Sequence, residues 1–295
     1  MASTTRPPRT VVITGVSPLY ALSEETARSF ASDNGTTHLA LLGSAEDYLQ
    51  KIQSELSSQF PHVTVFAHRV DITSAESVGI AAHNVRAALG AWNVLVHNGS
   101  AHAMRCPDTT IRGADEELWW GSFERNVRSL HHVARHFFSK ARGDATFINI
   151  VRTDVDGGGV ERDSAGCASG VAAAKVVEYL GEENENLGIK VATVIALPED
   201  RQVADFIAWS ATQRSAFAHA MSLDASIGVQ GYEVIGGKLS RRFVPEDASS
   251  EHRRPDDVSL EHRRPENGSI ENGTSHDRDT NSDHLMPDGI ARSLG

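Results

Sequence analysis

The chain has 295 residues, 40% of them hydrophobic, and its 39 acidic and 28 basic residues give a formal net charge of −11. That length suffices for one large α/β core, or for one domain with a tail. The acidic balance argues against a nucleic-acid partner, because nucleic-acid-binding proteins need a basic surface. No apolar run reaches the roughly 18 residues of a membrane span and no apolar leader is present, so we expect a cytoplasmic protein that does not cross a membrane. Cys106 and Cys167 lack metal-ligand spacing, so we expect reduced thiols and no metal site.

Apolar, β-branched runs alternate with amphipathic stretches of helical spacing along residues 9–238. The predicted strands are 11–13, 37–42, 63–70, 92–96, 145–151, 190–196 and 231–237. The predicted helices are 22–30, 45–56, 74–89, 116–139, 168–180 and 203–221. Strands that alternate this regularly with helices predict right-handed βαβ crossovers and a doubly wound parallel sheet.

The composition changes near residue 240. A ten-residue unit is repeated over residues 251–270, EHRRPDDVSL followed by EHRRPENGSI. Low hydrophobicity, proline and dense mixed charge do not offset chain entropy, so we predict that residues 241–295 are a disordered tail. The sequence therefore predicts one folded domain over residues 1–240.

The turn after the first predicted strand is a candidate anion site. Thr14-Gly15 ends the strand and a helix begins near Leu22, so unpaired N–H groups and the helix dipole converge on this turn. Dinucleotide-binding folds place a pyrophosphate there, which makes Thr14, Gly15, Ser17 and Tyr20 candidate cofactor residues. An ordinary βα turn without a ligand is the alternative.

The end of the second predicted strand bears on cofactor choice. Gly43 stands where folds selective for NAD carry a carboxylate that binds the ribose, and Ser44 follows it. No carboxylate repels a 2′-phosphate there, and no nearby Arg clamps one. The sequence favours NADP(H), with Ser44 as a candidate contact.

Several markers follow one another in a set order along residues 9–238. They are Thr14-Gly15, Asp71 in a DxT element, Asn98 in the turn HNGS, Asn126 in an Asn-Val pair, Lys175, and the run 231–237. This series resembles the short-chain dehydrogenase/reductase superfamily. The resemblance implies a Rossmann-type domain in which Asp71 contacts adenine, Asn98 and Lys175 hold the cofactor, and Asn126 belongs to the active site. It also implies a homodimer or homotetramer paired through the long helix and the helix that bears Lys175.

The glycine turn departs from the family pattern. Residues 14–21 read TGVSPLYA where the family has TGxxxGxG, so Leu19 and Ala21 replace the second and third glycines. A methyl group at Ala21 is a mild change. The Leu19 side chain, by contrast, competes for space with a pyrophosphate.

The catalytic residues differ further from the family pattern. In the family a Tyr four residues before the Lys is the general acid, the Lys lowers its pKa and holds the nicotinamide ribose, and a Ser at the end of the fifth strand binds the substrate carbonyl. Here Val171 precedes Lys175 by four, and Val151-Arg152 replaces the serines, with Thr153 as the nearest hydroxyl. The resemblance therefore implies a cofactor framework without the usual proton donor.

Three explanations remain open: a catalytically dead paralogue kept for binding or scaffolding, a reductase that uses other groups, and a site for a non-redox rearrangement. For the last two, the chain resembles a small fungal group of reductases from prenylated indole alkaloid pathways. These proteins lack the Tyr, reduce an iminium-type intermediate with NADPH and guide an intramolecular Diels–Alder closure.

That narrower resemblance implies two further catalytic residues, Arg128 and Asp163. The carboxylate stabilises a cationic C=N group, and the guanidinium anchors a substrate carbonyl. Arg128 as a surface helix residue and Asp163 as a solvated loop carboxylate are the alternatives. The predicted function is NADP(H)-dependent reduction of a small-molecule C=N centre in fungal secondary metabolism, with Asp163, Arg128, Lys175 and Asn126 as catalytic residues.

Overall fold

The computed structural model describes residues 9–33, 35–99, 111–151, 164–196, 201–213, 220–224, 232–235 and 238–241. All of these belong to one compact unit, Met1–Val244. The predicted disordered tail, residues 241–295, lies outside the described residues except for Arg241.

The main sheet consists of seven parallel strands. In chain order they are β1 (Arg9–Val16), β2 (Thr36–Gly43), β3 (Thr64–Arg69), β4 (Trp92–His97), β5 (Ala141–Val151), β6 (Lys190–Ile195) and β7 (Ala220–Asp224). Their order in the sheet is β3-β2-β1-β4-β5-β6-β7. This arrangement confirms the predicted doubly wound, Rossmann-type α/β fold.

Helices cover both faces of the sheet. They are α1 (Ala21–Ser32), α2 (Glu46–Gln59), α3 (Ala75–Leu89), α4 (Glu116–Phe123), α5 (Ser129–Phe137), α6 (Ser164–Glu183) and α7 (Arg201–Thr212). Successive residues of a strand point to opposite faces, so Val11 and Ile13 enter one core cluster and Val12 enters the other. Because both faces are buried, the strands are apolar throughout rather than alternating.

The predicted long helix over 116–139 is interrupted. It begins after Asp115, whose side chain accepts a hydrogen bond from the Leu118 N–H at 3.0 Å. α4 then passes into a π-helical segment, Glu124–Arg128, before α5 continues. Such widened turns are rare and frequently occur at functional sites.

The end of the domain differs from the prediction. The helix predicted over 203–221 is α7 and ends at Thr212, and Ala220–Asp224 is instead the edge strand β7, paired with β6. The strand predicted over 231–237 exists as β8 (Tyr232–Ile235), but it pairs antiparallel with β9 (Lys238–Arg241) in a separate hairpin. β7 is short and poor in β-branched residues, so its conformation follows from pairing along β6 rather than from local preference.

The described residues show neither a membrane-spanning helix nor a cluster of metal ligands. None of the helices among them is long and apolar enough to cross a bilayer. The same residues contain no group of three or more His, Cys, Asp or Glu side chains that could hold a metal ion.

Candidate active site

The candidate site lies at the carboxyl ends of β1 and β4, in the middle of the sheet. The chain leaves β1 toward β2 on one side, whereas β4 lies on the other side of β1. In open α/β sheets the crevice at such a switch point is where ligands bind.

The turn from β1 into α1 is locked to the turn after β4. Gly15 has a φ of +75°, and a Cβ there would lie 2.0 Å from the carbonyl oxygen of Asn98. The Ser23 hydroxyl donates to the Gly15 carbonyl at 3.1 Å and accepts from Asn98 Nδ2 at 2.9 Å. Asn98 is 1% exposed, and its Oδ1 has no hydrogen-bond partner among the described residues. The two turns thus hold a buried acceptor at the switch point.

Part of the predicted anion site is already used by the turn itself. The Leu19 N–H donates to Ser17 Oγ at 3.2 Å, and the Tyr20 N–H donates to the Ser17 carbonyl at 3.3 Å. The Leu19 side chain is 71% exposed. In this conformation the turn therefore offers fewer free amides than a helix N-terminus usually provides.

His97, the last residue of β4, connects this turn to the long helix. Its Nδ1 lies 2.7 Å from Thr14 Oγ1 and its Nε2 lies 3.0 Å from Ser129 Oγ. The Ser129 hydroxyl donates to the Arg125 carbonyl, so His97 Nε2 must donate to Ser129 and Nδ1 must accept from Thr14. Complete burial lowers the pKa of His97 to about 3. The imidazole is therefore a neutral bridge from β1 to the π segment.

The end of β2 cannot carry a side chain at Gly43. A Cβ there would lie 2.0 Å from the Val16 carbonyl oxygen, so the close approach of β1 excludes the carboxylate found in NAD-selective folds. Ser44, the predicted cofactor contact, is exposed just beyond this point.

Asp71 lies in the exposed turn between β3 and α3. Its Oδ1 accepts from the Thr73 N–H at 2.9 Å and from the Thr73 hydroxyl at 2.7 Å. These are the bonds of an aspartate that caps its own turn. The contact with adenine that the resemblance implies stays a prediction.

Asn126 is buried in the π segment, against α6. Its Nδ2 donates to Ser169 Oγ at 2.8 Å, and the Ser169 hydroxyl in turn donates to the Gly166 carbonyl at 3.2 Å. Gly166 and Gly170 flank Ser169 and are both buried. The inward face of α6 is therefore made of very small residues beside Asn126.

Lys175 lies on a different face of α6. It is six residues beyond Ser169, which corresponds to about 9 Å along the helix and about 120° around it. Its side chain is 60% exposed and forms an ion pair with Glu178, which raises the pKa of Lys175. The structure does not bring Lys175 to Asn126.

Arg128 does not lie beside Asn126 and Ser169 either. The Arg128 side chain is 61% exposed, and its Nη1 lies 2.8 Å from Glu124 Oε2. Asp163 and Thr153 lie outside the described residues. The catalytic roles of Arg128, Asp163 and Lys175 stay predictions.

Sequence reasoning missed Arg125. This residue immediately precedes Asn126 and is half-buried, with Nε and Nη2 buried and without a hydrogen-bond partner in the described part of the chain. Burial lowers the pKa of Arg125, and an electrostatic interaction with Tyr20 opposes that shift. The sequence feature that could have identified it is its position directly before Asn126 in the predicted long helix.

Residues 9–198 match the family model described as short chain dehydrogenase. The chain belongs to this family. The match covers β1 to β6 and both turns that meet at the switch point. No curated protein sequence matches this short chain dehydrogenase.

Solved structures of other family members share its fold. L-sorbose reductase from Gluconobacter frateurii, in complex with NADPH and L-sorbose, is 18% identical with a TM-score of 0.63, covering 75% of this chain and 97% of that one. Alcohol dehydrogenase from Thermococcus sibiricus, in complex with 5-hydroxy-NADP, is 23% identical with a TM-score of 0.59, covering 74% and 95%. A short chain oxidoreductase from Pseudomonas aeruginosa PAO1 that contains an atypical catalytic center is 21% identical with a TM-score of 0.56, covering 63% and 69%. At these identities the likeness concerns the fold.

Proposed function

We propose that this short chain dehydrogenase binds NADP(H) across the carboxyl ends of β1 and β4 and reduces an electrophilic small molecule. The observation that carries the proposal is the close, buried contact between Gly15 and Asn98. It holds the side-chain Oδ1 of Asn98 at the switch point without a hydrogen-bond partner among the described residues. A buried orphan acceptor fits a hydroxyl or N–H donor of a bound ligand. When bound, the nicotinamide supplies the hydride.

The preference for NADP(H) has two supports. The close contact at Gly43 leaves no room for a carboxylate that would repel a 2′-phosphate. Two fold neighbours hold NADPH and 5-hydroxy-NADP. We place the 2′-phosphate near Ser44 and the adenine near Asp71.

The missing proton donor points to the class of substrate. The two residues four apart that flank Ser169 on the inward face of α6 are Gly166 and Gly170, and neither has a side chain that titrates. The alternative pair, Val171 and Lys175, also lacks a Tyr. A cationic C=N carbon accepts hydride without an added proton, so a Tyr is dispensable for it. An iminium-type substrate is therefore the one that this site suits best.

The finer proposal follows the narrower resemblance. Asp163 would stabilise the cationic substrate, Arg128 would anchor a carbonyl, and Asn126 and Lys175 would complete the site of a fungal enzyme of secondary metabolism whose reduction is coupled to a cyclisation. The exposed positions of Arg128 and Lys175 require that the substrate or a second subunit reaches them.

A specific observation favours a second candidate function. Ser17 accepts the N–H groups of both Leu19 and Tyr20, so the turn satisfies donors that a pyrophosphate would need. A chain with such a turn, and without a proton donor, could serve as a non-catalytic binding or scaffolding protein. It would then bind a pathway enzyme rather than a dinucleotide.

Calorimetric titration with NADPH and NADH separates the two functions. We expect micromolar affinity for NADPH and weaker affinity for NADH, followed by oxidation of bound NADPH when cyclic iminium compounds are added. Affinity that is millimolar or weaker for both dinucleotides would remove the redox function and leave the scaffolding function. Matched ketones serve as the control, because reduction of a ketone needs a proton donor and Val171 stands where the family pattern places the Tyr.

A further inference from the structure

Arg125 is the least compensated charge next to the candidate site. It is half-buried, and its Nε and Nη2 have no partner among the residues that the structure describes. Arg128, three residues later in the same π segment, is exposed and paired with Glu124. Burying an unpaired guanidinium is unfavourable, so we expect Arg125 to have a partner other than the described residues.

The surroundings of Arg125 direct it toward the crevice. Its carbonyl lies 2.4 Å from the position that a Cβ of Gly99 would take, directly after Asn98. Its Nη1 lies 3.1 Å from the corresponding position on Gly121, so a side chain at position 121 would crowd this conformation of Arg125. The guanidinium also interacts electrostatically with Tyr20, at the start of α1. The cation thus lies between the turn after β4 and the turn after β1.

We propose that Arg125 binds the diphosphate of the dinucleotide and supplies the donors that the glycine-poor turn does not. This inference rests on the proposed function and adds a residue that sequence reasoning did not single out. A guanidinium offers planar, paired N–H donors that suit phosphate oxygens. It would neutralise the anion where Ser17 already occupies the N–H groups of Leu19 and Tyr20.

The position favours the diphosphate over the 2′-phosphate. β2 and β4 flank β1 on opposite sides, which separates their ends by roughly 10 Å. The Arg125 backbone carbonyl lies against Gly99 on the β4 side, and its guanidinium interacts with Tyr20. A 2′-phosphate is expected beyond Gly43 and Ser44, on the β2 side. Arg125 should therefore contribute equally to binding of NADPH and NADH.

The test compares Arg125→Met, Arg125→Lys and a control variant, Arg135→Met, which removes an exposed cation from α5. The probes are NADPH, NADH and adenosine 2′-monophosphate, which has no diphosphate, each titrated by calorimetry. We expect Arg125→Met to weaken both dinucleotides by the same factor, about 10- to 100-fold, and to leave the monophosphate unchanged. Arg125→Lys should lose less, and Arg135→Met should match the unmodified protein.

A second readout excludes a merely structural role. Because Arg125→Met removes an unpaired buried charge, the ligand-free melting temperature should stay the same or rise, while the stabilisation by NADPH shrinks. A lower ligand-free melting temperature with unchanged affinities would make Arg125 a structural residue and overturn the inference.

Loss of NADPH and monophosphate affinity with NADH unaffected would assign it to the 2′-phosphate instead. If the unmodified protein binds no dinucleotide, both the inference and the proposed function fail. If it binds and Arg125→Met matches it, the inference alone fails.

Discussion

His97 is the residue whose chemistry is most constrained by its surroundings. It donates to Ser129 and accepts from Thr14, so only the neutral ring satisfies both hydroxyls. Protonation would turn Nδ1 into a donor and end the bond that it accepts from Thr14. A buried histidine here therefore fixes the relation between β1, β4 and the long helix only while it stays uncharged.

This constraint predicts a pH dependence of folding. The pKa of His97 falls from 6.5 to about 3 on folding, so below pH 6.5 the unfolded chain takes up a proton that the folded chain refuses. Stability is therefore lost as the pH falls, by about 1.4 kcal/mol per pH unit, or roughly 2 kcal/mol by pH 5. His97→Gln keeps a donor and an acceptor without titrating. Urea denaturation at pH 7 and pH 5 should show a smaller loss for this variant, and equal losses would contradict the assignment.

Gly15 permits a second prediction at this scale. Alanine at Gly15 would suffer both the positive φ and a clash with the Asn98 carbonyl, whereas Gly90 has a φ of +84° with nothing within 4 Å of its Cβ position. Gly90→Ala measures the cost of a backbone conformation that favours glycine, with φ +84° and ψ −155°, about 1–3 kcal/mol. Gly15→Ala should lose at least about 2 kcal/mol more in chemical denaturation, because the turns must separate. Similar losses for the two variants would show that the turns are not locked.

Among the elements, the orientation of α6 determines which of the predicted site residues face inward. Its segment 164–175 reads SAGCASGVAAAK, in which nearly every residue is small, so the sequence gives little contrast between an inward and an outward face. The structure turns Gly166, Ser169 and Gly170 inward and leaves Lys175 exposed. Counting residues from the expected Tyr–Lys spacing could not detect that difference.

Lys175 is exposed and paired with Glu178 in the structure, whereas the sequence predicts that it holds the cofactor. The two positions predict different results for Lys175→Ala. If Lys175 stays exposed and paired with Glu178, the NADPH affinity should change less than about twofold, as for an exposed ion pair. Glu178→Ala is the matched control, because it breaks the same pair from the other side. A tenfold or greater loss confined to Lys175→Ala would support the cofactor role that the sequence predicts for Lys175.

The long helix shows what a hydrophobic pattern can and cannot predict. Leu130 and Val133 recur at helical spacing and are buried as expected. The π segment at Glu124–Arg128 changes the backbone hydrogen-bond register without a distinct sequence period, so it was not predicted. It contains both Asn126 and Arg125, which we propose to lie in the cofactor site.

For the whole molecule, the doubly wound parallel sheet was predictable from the sequence, and so was the placement of Thr14, Gly15 and Asn98 at its carboxyl edge. Parallel strands that are apolar throughout bring their carboxyl ends to one edge, whatever the details of the helices. The edge strand β7 was not predictable, since Ala220–Asp224 carries little strand preference and is defined by pairing with β6. Features set by long-range pairing or by backbone register were the ones that sequence patterns missed.

The exposed apolar side chains predict an oligomer. Trp120 on α4 and Val171 and Tyr179 on α6 are 54%, 50% and 54% exposed. The two helices are joined where Trp119 Nε1 donates to Ser164 Oγ at 3.1 Å. We propose that two copies pair through these helices, because burying such side chains removes apolar surface from water.

Light scattering after size-exclusion chromatography tests this pairing. The double variant Val171→Glu, Tyr179→Glu should elute as a monomer, because it places two charges in the contact. Ile80→Glu, which alters a side chain of similar exposure on α3, should remain a dimer. A monomeric unmodified protein, or dissociation by Ile80→Glu alone, would place the interface elsewhere or exclude it.

The central claim is that a dinucleotide still binds at the β1–β4 switch point of a chain with Val171 where the family pattern places its Tyr. A crystal structure grown with NADPH is the most direct measurement. We expect the cofactor to lie across the turn at Gly15, with a ligand donor on Asn98 Oδ1, the diphosphate on Arg125 and the nicotinamide beside Asn126. A crystal with saturating NADPH in which the crevice holds no nucleotide, and Ser17 keeps its bonds to Leu19 and Tyr20, would contradict the account.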